Sequence, residues 1–249
     1  MTELVHYAVE GPLATITLDS PHNKNALSRQ LVTELFGHLE AAEADADVRV
    51  VLVRSADRVF CSGADLSEAT SEGMEEGARR IVALQRLVLT MSKPVVTEVL
   101  GAVRAGGIGL VAASDVAVVA DEATFALTEV KLGLAAAIIS LTVHHRMNPR
   151  AAALTTLGGE VFGGADAAAY GLVTRAVPAD SLREEVDALC ASLTTGAAQG
   201  LRESKAILNR DLVEKLDARG DELAALSARL FASDEAREAM TAFLNRRKQ

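Results

Sequence analysis

The chain has 249 residues and a mass of 26.1 kDa, with 49% hydrophobic and 24% charged residues, the make-up of a globular protein rather than a disordered one. Asp and Glu (34) outnumber Lys and Arg (25), and the resulting net charge of −9 argues against a general surface for nucleic acid or anionic lipid. Two cysteines, Cys61 and Cys190, show no paired spacing and read as reduced thiols of a cytoplasmic protein. The amino end lacks the pattern of a signal peptide, and the longest uncharged apolar stretch, Leu132 to Val143, is only 12 residues. The expectation is one large domain, or one domain with a small appendage, outside any membrane.

Val5–Val9 and Leu13–Leu18 read as strands joined at Glu10-Gly11-Pro12. Ser28 is a candidate N-cap for a helix in which Leu31, Val32, Leu35 and Leu39 recur at helical spacing, ending near Asp45. A short apolar strand, Val48–Val53, leads to a loop broken at Gly63 and a helix over about Met74–Met91. The unit then recurs as strand Val95–Leu100, a glycine-rich turn, a short helix, strand Val116–Ala120 and strand Thr124–Leu127. Beyond Gly133 the chain turns Ala-rich and helical, with one β-like piece at Leu172–Val177. Ser181 and Glu184 suit a capping box for a helix over Leu182–Leu193. From Gln199 to Gln249 the pattern is helical, with Gly220 and Ser233 as expected breaks. Strand pairs followed by helices, then a helical tail, indicate an α/β fold.

No HExxH or CxxC set accompanies the five histidines, and no GxSxG elbow is present. Gly107-Ile108-Gly109-Leu110-Val111-Ala112 fits the dinucleotide pattern G-x-G-x-x-A. However, the helix it opens could run only from about Gly106 to Ser114, and Asp121 follows Gly107 by 14 residues rather than ~20. The same glycines could simply let a helix pack close to a sheet.

A third reading joins these glycines to two loops. Phe60-Cys61-Ser62-Gly63-Ala64-Asp65-Leu66 follows one strand, and Gly101-Ala102-Val103-Arg104-Ala105-Gly106-Gly107 follows the next and opens a helix. Glycines admit close backbone approach, and one N–H from each loop would form an oxyanion hole for a thioester enolate. Glu129, just past a short strand in an apolar run, could have its pKa raised by desolvation and serve as acid and base, or could be a solvated strand-end residue. Arg104 sits among small apolar residues; it should be solvated, paired with an acid such as Glu98 or Asp65, or directed at a ligand anion.

In order along the chain, DSPHNKNALS, FCSGADL, KPVV, GAVRAGGIGLVAASDVAVVAD, FALTEVKLGL, YGLVTRAV and FLNRRKQ resemble the crotonase (enoyl-CoA hydratase/isomerase) superfamily, over nearly the whole chain. The resemblance implies a spiral of ββα units over residues 1–195 carrying the acyl-CoA site. It also implies a helical region over 196–249 that makes a homotrimer or homohexamer. It puts the oxyanion N–H groups at Ala64 and Gly106 and the catalytic carboxyl at Glu129. Coenzyme A would lie along Lys24, Asn25, Ala26, Ser62, Gly63, Ala64, Asp65 and Leu66, with Gly106 and Gly107 beside the thioester. Arg246 would reach the nucleotide phosphates of a neighbouring subunit. Arg104, read from its own apolar surroundings rather than from the resemblance, would meet a phosphate or a distal carboxylate when it is directed at a ligand. No cofactor is implied beyond the coenzyme A of the substrate, and no metal.

One departure matters. The hydratase pattern carries a first catalytic glutamate at the position that here is Gly109, the preceding glycine triplet reads Ala105-Gly106-Gly107, and Ala135–Ser140 replaces a proline- and glycine-rich stretch. Three expectations follow: a hydratase of a 2-enoyl-CoA, branched or glutaconyl-type, working through Glu129 alone; a Δ3,Δ2-enoyl-CoA isomerase; or a non-catalytic acyl-CoA binder.

Overall fold

The computed structural model describes residues 2–68 and 71–246. Strands β1 (Val5–Glu10) and β2 (Leu13–Leu18) form an antiparallel hairpin, and β2 alternates half-buried and buried residues, as a one-faced strand should. Helix α1 (Arg29–Ala44) starts where the sequence places it: Ser28 Oγ accepts from the Leu31 N–H at 3.3 Å, and Leu31, Val32, Leu35 and Leu39 are buried. Strand β3 (Val50–Ser55), helix α2 (Ser71–Thr90) and strand β4 (Val95–Val99) complete a parallel turn of the spiral. β4 is buried along its whole length, which explains its unbroken apolar sequence apart from Thr97 and Glu98.

At Gly101 the chain passes so close to the Arg58 carbonyl that no Cβ would fit, and it leaves the main sheet for a second one. There follow β5 (Ala102–Arg104), helix α3 (Gly106–Ala113), β6 (Val116–Ala120) and β7 (Thr124–Ala126). Helix α4 (Ser140–Arg146), α5 (Pro149–Gly158), β8 (Phe162–Gly163), α6 (Gly164–Ala169), β9 (Arg175–Val177), α7 (Ala179–Thr194), α8 (Ala198–Phe231) and α9 (Asp234–Arg246) complete the order. The main sheet runs β1-β2-β3-β4-β6-β9, parallel apart from the hairpin, and the small sheet runs β5-β7-β8. The pairs β4–β5 and β6–β7 thus feed one strand to each sheet, and helix α3 between them is buried. No described helix is long and apolar enough to cross a membrane.

Three local expectations are corrected. Helix α7 begins at Ala179 behind Pro178, whose φ of −53° already suits a helix start, so Ser181 lies inside the first turn and makes no side-chain cap. The β-like piece pairs only over Arg175–Val177. Gly220 does not break the helical tail; α8 runs through it, and a Cβ there would meet Val82 Cγ1 at 2.8 Å. The glycine lets α8 press onto α2, and the pair is fastened by Arg86 Nη2 on Asp217 Oδ2 at 3.0 Å. Buried Lys205 of α8 adds a 2.8 Å ion pair with Asp115 at the start of β6. Ser233 does mark the end of α8, and its Oγ accepts from the Ala236 N–H to start α9.

Candidate active site

Two loops leave the strand ends side by side. The Arg104 N–H donates to the Cys61 carbonyl at 2.9 Å, and Cys61 pairs with Val103 in parallel. Counting three residues forward along each loop brings Ala64 opposite Gly106. A Cβ on Gly63 would lie 3.0 Å from Ala105 Cβ, so the loops touch immediately before the two amides. Among the described residues neither the Ala64 nor the Gly106 N–H has a hydrogen-bond acceptor. The Gly106 N–H is free because it opens α3, where the first amides of a helix have no partner one turn back.

The two glycines at this corner are packed closely, Gly107 the more rigidly. Gly106 faces Leu27 Cδ1, which a Cβ would meet at 2.8 Å, and Gly107 seats α3 on Cys61. The cysteine is thereby wholly buried and its thiol is pushed up to about 12, which leaves it a packing group rather than a nucleophile. Ala105 itself adopts φ 47° and ψ −122°, a conformation normally left to glycine.

Ala64 and Gly106 line a cleft of about 130 Å³ together with Leu27, Val32, Ile81 and Ile138. Glu129 lines the same cleft. It sits not at a strand end but in a 3₁₀ turn, Thr128–Leu132, just past β7. Its Oε2 is buried without a hydrogen-bond partner, and burial pushes the carboxyl up to about 7. A carboxyl so placed exchanges a proton readily at neutral pH.

The segment expected to carry coenzyme A is assembled beside the first loop. Lys24 and Asn25 both take positive φ (58° and 52°), and Leu27 pairs in parallel with Ala64. The Ser62 hydroxyl and amide hold the carbonyls of Asn23 and Lys24, and Asn23 Nδ2 donates to Asp65 at 2.9 Å. Asn25 is not a surface group: its buried amide binds the Ser20 N–H and the Val59 carbonyl, so its side chain shapes the loop. Ala26 is likewise buried. Asp65 lines the cleft, whereas Lys24, Ser62, Gly63 and Gly107 do not. The side chains of Leu66 and Arg246 lie outside the described part of the molecule.

Arg104 is the clear correction. Its guanidinium meets neither Glu98 nor Asp65 and does not line the cleft. Its Nη1 donates to the carbonyls of Val103 (2.9 Å) and Thr124 (2.6 Å), and its Nη2 to the Thr124 hydroxyl. Sequence neighbourhood suggested a ligand; the β5–β7 pairing supplies the acceptors instead. Glu98 pairs with Arg183 of α7 at 3.0 Å. The sequence reading also missed that Ser227 and Phe231 of α8 form part of the cleft wall. They lie one helical turn apart in a segment with no chemical motif, so nothing in the sequence marked them. Among the described residues no group of three or more His, Cys, Asp or Glu is placed to hold a metal ion.

This geometry, a parallel spiral whose paired loops bring two amides without a described acceptor to a cleft lined by one buried carboxyl, is that of a crotonase-fold protein. The family model of enoyl-CoA hydratase/isomerase matches residues 9–249, and the chain belongs to that family. A crystal structure of an enoyl-CoA hydratase from Mycobacterium avium is 44% identical, covers 99% of this chain and 98% of that one, and superposes with a TM-score of 0.93. The hydroxycinnamoyl-CoA hydratase-lyase of Pseudomonas fluorescens is 31% identical over 210 residues, 81% of this chain and 76% of that protein. A Thermus thermophilus relative, whose name also places it among enoyl-CoA hydratases, is 36% identical over 205 residues, 80% of this chain and 81% of that protein.

Proposed function

We propose that the chain acts on 2-enoyl-CoA thioesters by moving a proton at the α-carbon, with hydration as the reaction. The reading rests chiefly on Glu129, a carboxyl held near 7 in the cleft that also contains the two unpartnered amides. The Ala64 and Gly106 N–H groups would stabilise the negative charge that develops on the thioester oxygen. Glu129 would give a proton to Cα while a water oxygen bonds to Cβ, and the proton left over from the water would restore the carboxyl. Coenzyme A enters as part of the substrate, so the step needs neither a further cofactor nor a metal.

A second reading, Δ3,Δ2-enoyl-CoA isomerisation, is favoured by one observation. Ile139 packs over Gly109, so the position of the missing glutamate is filled by an aliphatic side chain. One carboxylate suffices for this reaction, taking a proton from C2 and returning it to C4. A glutaconyl-type substrate loses the added support that Arg104 would have lent it. A branched or straight uncharged acyl group suits the apolar wall of Val32, Ala78, Ile81, Ala136 and Ile138. Purified protein supplied with crotonyl-CoA, 3-methylglutaconyl-CoA and a 3-enoyl-CoA separates the readings. Hydration of crotonyl-CoA abolished by Glu129→Gln supports the first, turnover of the 3-enoyl-CoA alone supports the second, and binding without turnover leaves a non-catalytic binder.

The proposal includes assembly as a homotrimer or homohexamer in the cytoplasm. The exposed apolar side chains of Leu154, Leu157, Val161, Ile207 and Leu208 support the assembly, which light scattering tests.

A further inference from the structure

The cleft has one more polar group that the reaction does not use. Ser227, on α8, is only 6% exposed, yet its hydroxyl makes no hydrogen bond with any described residue. Other buried hydroxyls are engaged: Thr142 donates to Gln85, Ser114 and Thr97 share a bond, and Thr155 returns to its own helix. The remaining polar side chains around the cleft are engaged or exposed as well. Ser28 caps α1, Glu68 accepts the Arg29 N–H, Glu76 pairs with Arg80, and Asp65 is held by Asn23 and Ser67, while Arg29 is exposed. Ser227 is one of the residues that line the cleft.

Several of the residues that share the cleft with Ser227 are apolar. Phe231 lies one turn further along α8, Ala224 one turn back is buried, and Ala78, Ile81 and Ile138 line the same cleft. A hydroxyl isolated in such a wall is unfavourable unless a ligand or water completes its hydrogen bond. It can donate to or accept from a ligand oxygen. Asp65, Glu68, Glu76 and Glu129 outnumber Arg29 and Arg80 around the cleft, so the natural complement is a neutral oxygen rather than a carboxylate.

We propose that Ser227 hydrogen-bonds an uncharged oxygen, a hydroxyl or keto group, carried on the acyl chain, which makes oxygenated enoyl-CoA thioesters the preferred substrate class. The inference rests on the acyl-CoA reading of the cleft. Its test compares 2-hexenoyl-CoA with 2-hexenoyl-CoA bearing a single hydroxyl or keto group at each carbon beyond the double bond, in the wild type and in Ser227→Ala. At least one oxygenated thioester should exceed the plain chain by roughly 3–15-fold in kcat/KM, the value of one neutral hydrogen bond, and that ratio should fall to about one in Ser227→Ala. A ratio that survives in Ser227→Ala, or no preference among the whole series, overturns the role of Ser227 and leaves the acyl-CoA reading standing. Failure of the folded wild type to bind or turn over any of these thioesters overturns both.

Discussion

Ile139 occupies the space in front of Gly109. A methyl group on residue 109 would stand 2.9 Å from Ile139 Cβ, closer still to its Cγ2, and 3.1 Å from the Gln85 amide oxygen. The site therefore does not simply lack a second carboxylate; it is packed shut where one would stand. Gln85 is engaged as well, its Nε2 donating to the Ile81 and Ile138 carbonyls and its Oε1 accepting from Thr142.

A glutamate restored at Gly109 should consequently fail to improve hydration. Gly109→Glu alone is expected to lower stability by about 1–3 kcal/mol or more through overpacking, with no gain on crotonyl-CoA. The double variant Gly109→Glu/Ile139→Ala should recover part of that loss. Urea unfolding and a hydration assay on both proteins check this, and a gain from the single variant would refute it.

Glu129→Gln should reduce turnover by about 10²–10⁴-fold while the thioester still binds. The same change should stabilise the protein in a defined pH window. Burial raises the carboxyl from its ordinary 4.5 to about 7, so the fold favours the protonated form. That preference is fully present below pH 4.5 and is lost as pH rises through 7, when ionising the buried group costs about 3 kcal/mol. Melting at pH 8 should thus favour the Gln variant, and the two proteins should converge near pH 4.

Ala105 holds a conformation in which a Cβ is unwelcome, in the second of the two loops that carry the amides. Replacement by Gly removes strain of order 1–3 kcal/mol, offset by about 0.5–1 kcal/mol of added freedom in the unfolded chain. Ala105→Gly should therefore raise stability by about 1 kcal/mol in denaturant titration. An equal or lower midpoint would show that the loop carries no such strain.

Arg104→Met should act on the fold and not on substrate choice. It removes two hydrogen bonds that tie β5 to Thr124 of β7 and one to the Val103 carbonyl of β5 itself, and a loss of about 1–3 kcal/mol of stability is expected. Any change in kcat/KM should be the same for crotonyl-CoA and 3-methylglutaconyl-CoA. A selective loss on the carboxylated thioester would return Arg104 to the binding site.

The sequence by itself determined the elements and their order. Alternation in Leu13–Leu18, the Val-rich strand at Val95 and the Ser28 cap are local patterns, and each forms within a residue or two of the expected place. The ordered motifs determined the family, and Ala64, Gly106 and Glu129 do face one cleft. The sequence did not determine what lies opposite a given residue, because that depends on strand pairing and helix packing across long separations. Arg104 found two of its three acceptors on β7, Gly220 turned out to be a contact with α2 rather than a break, and Gly109 met Ile139 thirty positions on. Ser227 entered the cleft only because α8 folds back over α2, so its role rests on a long-range contact rather than on any local signal.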